Sequence, residues 1–117
     1  MNQYKKILSI CIPTYNRASI LNSSLKSLQE EFRTINTNEI ELIISNNCST
    51  DYTEEVVQRY IQAGMPIIYY KNPTNLGYEG NFLQCFKKAT AQYVWVLGDD
   101  DFLKEGVLSF LLDHLRD

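Results

Sequence analysis

Three consecutive acids, Asp99, Asp100 and Asp101, are the residues most able to do chemistry in this sequence. Adjacent carboxylates repel one another, and keeping them ionised costs free energy unless a cation or hydrogen-bond donors compensate. No His or Cys is near them in sequence, and an oxygen-only donor set suits a hard divalent ion such as Mg²⁺ or Mn²⁺. Mg²⁺ commonly takes one or two protein carboxylates and completes its shell with water and phosphate oxygens, which would bring a phosphate-bearing ligand to the same place. The plainer alternative is an acidic turn that caps the last helix by interaction with its N-terminal dipole.

Two further polar clusters invite the same question. The first, Pro13-Thr14-Tyr15-Asn16, offers a ring to pack on a nucleobase and a hydroxyl and an amide to bond its edge or a ribose. The second is Asn46-Asn47-Cys48-Ser49-Thr50-Asp51. Both are equally able to form turns and cap helices. Gly77 and Gly80 do not make a GxGxxG fingerprint, and no Walker A lysine motif is present.

The elements that must position these clusters follow from hydrophobic spacing. Residues 6–12 (KILSICI) form a short apolar strand that Pro13 is expected to stop. Leu21, Leu25, Leu28, Phe32 and Ile35 then recur at helical spacing on one stripe. Residues 40–45 give a second strand, and Val56, Val57, Tyr60 and Ile61 a second amphipathic helix ending near Gly64 and Pro66. A third strand covers residues 67–70, Phe82, Phe86 and Ala89 mark a third helix, and residues 93–97 (YVWVL) form an aromatic and β-branched, buried-looking strand. Val107, Leu108, Leu111 and Leu115 complete a fourth helix. Alternating strands and helices predict an α/β fold, a mainly parallel sheet with helices on both faces. In such sheets ligands bind beyond the carboxyl ends of the strands. The segments after strands one, two and four are PTYN, NNCSTD and GDDD, so all three clusters are expected to face one crevice.

At 117 residues the chain reads as a single domain, 1–117, with no room for a second. Its 14 acidic and 11 basic side chains leave a net charge of −3, equal to the Asp triplet alone. That balance argues against a nucleic-acid binder, which would show clustered Lys and Arg. Apolar runs of four to six residues fall short of the roughly 20 that span a bilayer, and MNQYKK lacks the apolar core of a signal peptide. Cys11, Cys48 and Cys85, odd in number and without CxxC spacing, read as reduced cytosolic thiols, and with His114 they do not make a zinc site.

The runs ICIPTYNR, ELIISNNCSTD, NPTNLGYEGN and YVWVLGDDDFL together resemble the N-terminal, nucleotide-binding part of the family 2 glycosyltransferases, which have the Rossmann-like GT-A fold. The resemblance spans residues 6–115, and is nearest to bacterial members that build O-antigen, capsule or other surface polysaccharides. It implies that Pro13, Thr14, Tyr15 and Asn16 border the base and ribose of a nucleoside-diphosphate sugar. Asn46 falls where the family has an aspartate that bonds the base; an amide both accepts and donates, which leaves the base open. Asn75 and Gly77 match the family's N-x-G segment, and Asn81 lies where a polar side chain approaches the donor. Gly98 replaces the first acid of the family's D-x-D-D form. In that register Asp99 bonds the ribose, Asp100 ligates a divalent cation, Mn²⁺ or Mg²⁺, between the diphosphate oxygens, and Asp101 supports its shell.

The resemblance further implies a carbohydrate or lipid-linked glycan acceptor, with the general base on a carboxylate in a second half of the domain that lies beyond this chain. This chain is then expected to be a truncated donor-binding segment that transfers no sugar alone and tends to self-associate through an open sheet edge. Its location is expected to be cytoplasmic, peripheral to the inner membrane in the full-length enzyme. Two other readings stand beside it: a receiver-like Mg²⁺-binding signalling domain, disfavoured because its acids would follow the first strand, and a non-catalytic remnant of the fold.

Overall fold

The computed structural model describes residues 3–116. Strands and helices alternate as expected: β1 (Leu8–Thr14), α1 (Ala18–Phe32), β2 (Ile40–Asn46), α2 (Thr53–Gln62), β3 (Ile67–Lys71), α3 (Gly77–Lys87), β4 (Tyr93–Val96) and α4 (Val107–Leu115), with a 3₁₀ turn at Thr37–Glu39. The four strands form one sheet in the order β3-β2-β1-β4, parallel at every pairing. The order reverses between β1 and β4, and the crevice beyond that switch point is where such sheets bind ligands.

The two faces of the sheet are unequally covered. On one, Leu8, Ile10 and Ile12 of β1 and Ile40, Leu42 and Ile44 of β2 pack against α1, α2 and α4. Leu21, Leu25 and Leu28 of the α1 stripe are buried there as their spacing predicts. Each fully buried aliphatic side chain contributes about 1.5–3 kcal/mol, so this face holds most of the fold's apolar stabilisation. The other face carries Cys11 and Ile43, which pack against Cys85 of α3.

Three expectations are corrected. Pro13 does not stop β1, which runs through it to Thr14. Cys11 O is the last acceptor from the β4 side, bonding Leu97 N, and Thr14 O turns to Asn47 N on the β2 side. The missing Pro13 N–H therefore points past the end of β4, where no ladder bond is lost. The buried face of α3 is set by Asn81 and Cys85, whereas Phe86 is 49% exposed and Ala89 lies past the helix end. β4 is an edge strand rather than a buried one, with Tyr93 and Val94 exposed, because β1 pairs with it on one side only.

Candidate functional site

A cleft of about 690 Å³ opens at the carboxyl ends of β1 and β4. Of the residues singled out in the sequence, Pro13, Thr14, Tyr15, Asn75, Gly77, Asn81, Asp99, Asp100 and Asp101 line it, together with Arg17, Asn47, Tyr78 and Phe82. Asn16 and Asn46 do not. Asn16 has a left-handed backbone (φ 49°), a conformation Asn tolerates better than most residues. Its Oδ1 accepts from Thr50 N at 2.7 Å and its own N–H donates to Ser49 Oγ at 2.9 Å, which ties the turn after β1 to the loop after β2. Asn46 is buried, donating to Tyr69 Oη and accepting from Ser49 N. Burial and the neighbouring Glu54 push the Tyr69 hydroxyl up to about 12.

The floor is braced by amides. Asn81 Oδ1 accepts from Ser45 Oγ (2.7 Å) and Asn72 Nδ2 (2.8 Å), and its Nδ2 donates to Ser45 O and Thr14 O. Asn47 holds the segment that begins α3: its Nδ2 donates to Asn75 Oδ1 and Gly77 O, and its Oδ1 accepts from Leu76 N and Asn72 Nδ2. Gly77 itself has φ 77°, a value that favours glycine at this turn. Asp51 closes the outer wall by accepting from Ala18 N and from Thr53 N and Oγ1, so one carboxylate caps both α1 and α2.

The acids follow β4 directly. Asp99 is buried, accepting from Thr14 Oγ1 at 2.9 Å and facing Arg17 Nε at 3.4 Å. Burial raises its carboxyl above the ordinary range, opposed by Thr14 and Arg17 and reinforced by the Asp100 charge. Asp100 is exposed, with Arg17 Nη2 3.5 Å from its Oδ2. Asp101 turns back to accept from Gly98 N at 2.8 Å. A side chain at Gly98 would bring its Cβ within 2.9 Å of Asp100 Oδ1 and 3.1 Å of Asp101 Oδ2, so glycine there leaves room for both carboxylates.

The capping alternative for the triplet does not hold. α4 begins at Val107, and the amide of its N-cap residue, Gly106 N, and that of its second residue, Leu108 N, donate to the buried Glu31 of α1. Among the described residues, no three His, Cys, Asp or Glu side chains form a metal-holding group. The donor set fits a hard cation held by two carboxylates, Asp100 and Asp101, that draws its remaining ligands from phosphate and water; it does not fit a cage built by protein alone. Cys48 reaches only Pro73 O, and His114 is exposed and stacked on Phe110, so neither joins this chemistry.

Arg17 is the residue that sequence reasoning passed over, and Asn47 is one that it placed in a candidate cluster without a role of its own. Arg17 is the first basic residue after the PTYN turn, and that adjacency is the signal that would have found it. Asn47 carried no signal beyond membership of a polar loop.

Comparison with known proteins extends these observations. The glycosyl transferase family 2 model matches residues 9–117. Abequosyltransferase RfbV of Salmonella typhimurium is 41% identical over 112 residues, 93% of this chain and 32% of that protein. A GalNAc(5)-diNAcBac-PP-undecaprenol beta-1,3-glucosyltransferase of Campylobacter jejuni is 34% identical over 94% of this chain and 35% of its own length. The chain thus spans about a third of the curated relatives it matches. Among solved structures, a mannosyltransferase from Pyrobaculum calidifontis in complex with GDP-Man and Mn²⁺ superposes with a TM-score of 0.82 at 19% identity, covering 98% of this chain and 34% of that one. S. aureus TarS 1-349 in complex with UDP-GlcNAc gives 0.82 at 23% identity, covering 94% and 31%. The fold is that of a Rossmann-like part, about a third, of these GT-A structures.

Proposed function

The chain belongs to glycosyl transferase family 2, and from that premise we propose that it is the donor-binding part of an enzyme that moves a sugar from a nucleoside diphosphate to a carbohydrate or lipid-linked glycan acceptor in polysaccharide or glycan synthesis. The observation that carries the reading is the meeting, in one cleft, of the Asp99–Asp101 carboxylates with Tyr15, Thr14 and Arg17. Neighbours of the same fold solved with GDP-Man and Mn²⁺ or with UDP-GlcNAc support it, as does a relative named for an undecaprenol-linked glycan.

In this mechanism Tyr15, exposed at the rim, packs on the base, and Pro13 and Thr14 border base and ribose. Asp99, held by Thr14, presents its carboxylate to the ribose. Asn75 and Gly77, fixed by Asn47, form the opposite wall. Asn81 acts by bracing β1 and β2, since its amide is fully engaged by Ser45, Asn72 and Thr14. Asn16 and Asn46 act in the same way, holding the loops that carry Tyr15 and Asn47. Asp100 and Asp101 would hold the divalent cation, which when bound supplies positive charge opposite the departing diphosphate.

The acceptor side and the general base are assigned to the remainder of a longer enzyme, at the cytoplasmic face of the membrane. Among the described residues no helix is long and apolar enough to cross a membrane. The exposed Tyr78, Leu83 and Phe86 of α3 and the open β4 edge support self-association of this chain.

Calorimetric titration with UDP, GDP, CDP and dTDP, with and without Mn²⁺, tests the reading. One nucleotide is expected to bind in a Mn²⁺-dependent way, and Asp100→Ala to weaken that binding about tenfold or more, the loss of a charged ligand. Metal-independent binding, or binding untouched by Asp100→Ala, overturns the role of Asp100. Sugar transfer by this chain alone would refute the assignment of the base elsewhere.

A further inference from the structure

Arg17 sits where the acid cluster needs a positive charge. Its guanidinium spans the two carboxylates, with Nε 3.4 Å from Asp99 Oδ1 and Nη2 3.5 Å from Asp100 Oδ2. It is the one cation paired with the triplet among the described residues. We propose that Arg17 is the resident counter-ion of the cluster, that it competes with the divalent cation for Asp100, and that donor binding transfers its guanidinium from the carboxylates to the diphosphate.

This inference rests on the donor-site reading above and adds a mechanism of coupling to it. Three features make Arg17 exchangeable. Both ion-pair distances exceed the 2.7–2.9 Å of a tight charge-assisted hydrogen bond. The side chain is 43% exposed in the cleft and so is free to swing. It also stands at the N-cap of α1, whose first turn has no acid of its own, and a cation at that end of a helix opposes the dipole. The Asp51 carboxylate beside the start of α1 is taken up by Ala18 N and by Thr53 N and Oγ1, and Asp99 and Asp100 are the partners that hold the guanidinium in place.

The consequence is thermodynamic. A cation arriving alone takes Asp100 from Arg17 and leaves the guanidinium with Asp99 as its one remaining partner, beside a helix N-terminus. A cation arriving with a diphosphate gives Arg17 a new anionic partner. Binding of the two ligands is therefore cooperative, and by linkage each strengthens the other equally. Arg17 is a binding and positioning residue in this scheme.

The test measures Mn²⁺ binding from the electron paramagnetic resonance of the free ion, and UDP and, in parallel, GDP binding at saturating Mn²⁺, for the parent chain, Arg17→Gln, Arg17→Lys and Asp100→Asn. Arg17→Gln is expected to bind Mn²⁺ alone about two- to fivefold tighter, the value of an exposed ion pair released from competition. The same variant should bind the nucleotide about tenfold more weakly, having lost a charge-assisted partner. Arg17→Lys, a point charge without the fork, should fall between. If Arg17→Gln binds Mn²⁺ no tighter than the parent while Asp100→Asn abolishes binding, the exchange is wrong and the donor site stands. If Asp100→Asn leaves Mn²⁺ binding intact, the donor-site reading fails and this inference with it.

Discussion

Two carboxylates lie buried at opposite ends of the same sheet, and their partners differ in kind. Glu41, at the amino end of β2, accepts from Ser9 Oγ at 2.6 Å, Thr90 N at 2.7 Å and Thr90 Oγ1 at 2.9 Å, and Ser9 Oγ in turn accepts from Ala91 N. Asp99, at the carboxyl end beyond β4, has one hydroxyl and one half-exposed arginine, with Asp100 and Asp101 crowding it. The first acid is enclosed by neutral donors from its own fold and locks the α3–β4 connection to β1 and β2. The second is left short of donors, and burial raises its carboxyl instead. Glu31, which caps α4, belongs with Glu41. Acids that satisfy amides of other elements build this fold, while Asp99, held by Thr14 Oγ1 and Arg17, faces the cleft.

The largest effect that would break this contrast is at Glu41. Glu41→Ala strands the buried Ser9 Oγ and takes the acceptor from Thr90 N and Thr90 Oγ1. The expected cost is about 3 kcal/mol, or a fall in Tm of roughly 15 °C for a domain this size. Nucleotide affinity of the folded fraction should not change. A denaturation midpoint equal to that of the parent chain would show that Glu41 contributes nothing to the fold and dissolve the comparison.

Asp51 sharpens it, because it lies at the carboxyl edge yet keeps the company of Glu41. It caps α1 and α2 at once, so Asp51→Ala should cost about 1–2 kcal/mol. Burial alone would raise its carboxyl, but hydrogen bonds from Thr53 and Ala18 outweigh that and hold it below the ordinary range. A lowered carboxyl stabilises the folded state above the ordinary value and loses that contribution as pH falls. The gap in stability between parent and Asp51→Ala should therefore be constant near neutrality and close as pH drops below about 4. A gap that persists at lower pH would mean that the capping does not depend on the charge.

How far these roles were legible in sequence depends on the kind of signal. The α/β alternation and the α1 stripe were legible because burial imposes a period, and the crevice because strand ends in a parallel sheet share one edge. Phe86 misled because the buried face of α3 is set by Asn81 and Cys85, and a large apolar residue off that face is left half-exposed. The part of Glu41 was invisible: its partners stand 32 and 49 residues away, and a lone acid at the start of an apolar strand has no local pattern. Arg17 was hidden for the same reason, since its partners follow β4 and only the parallel pairing of β1 with β4 brings them together.

The smallest expected change in stability is at Asp99, and it separates the two regions most sharply. The fold disfavours the ionised carboxyl there, so a neutral isostere removes a cost as well as a contact. Asp99→Asn keeps an oxygen to accept from Thr14 Oγ1 and loses one of two weak pairings with Arg17, which retains Asp100. These terms oppose each other, and the net change should be within about 1 kcal/mol of zero, the value of an exposed ion pair. Nucleotide binding should nevertheless fall about tenfold, because a carboxylate that accepts ribose hydroxyls is a stronger acceptor than an amide. Chemical denaturation and calorimetry on the one variant read both quantities. A loss of stability as large as that of Glu41→Ala, with binding unchanged, would place Asp99 among the acids that build the fold and leave the cleft without its anchoring carboxylate.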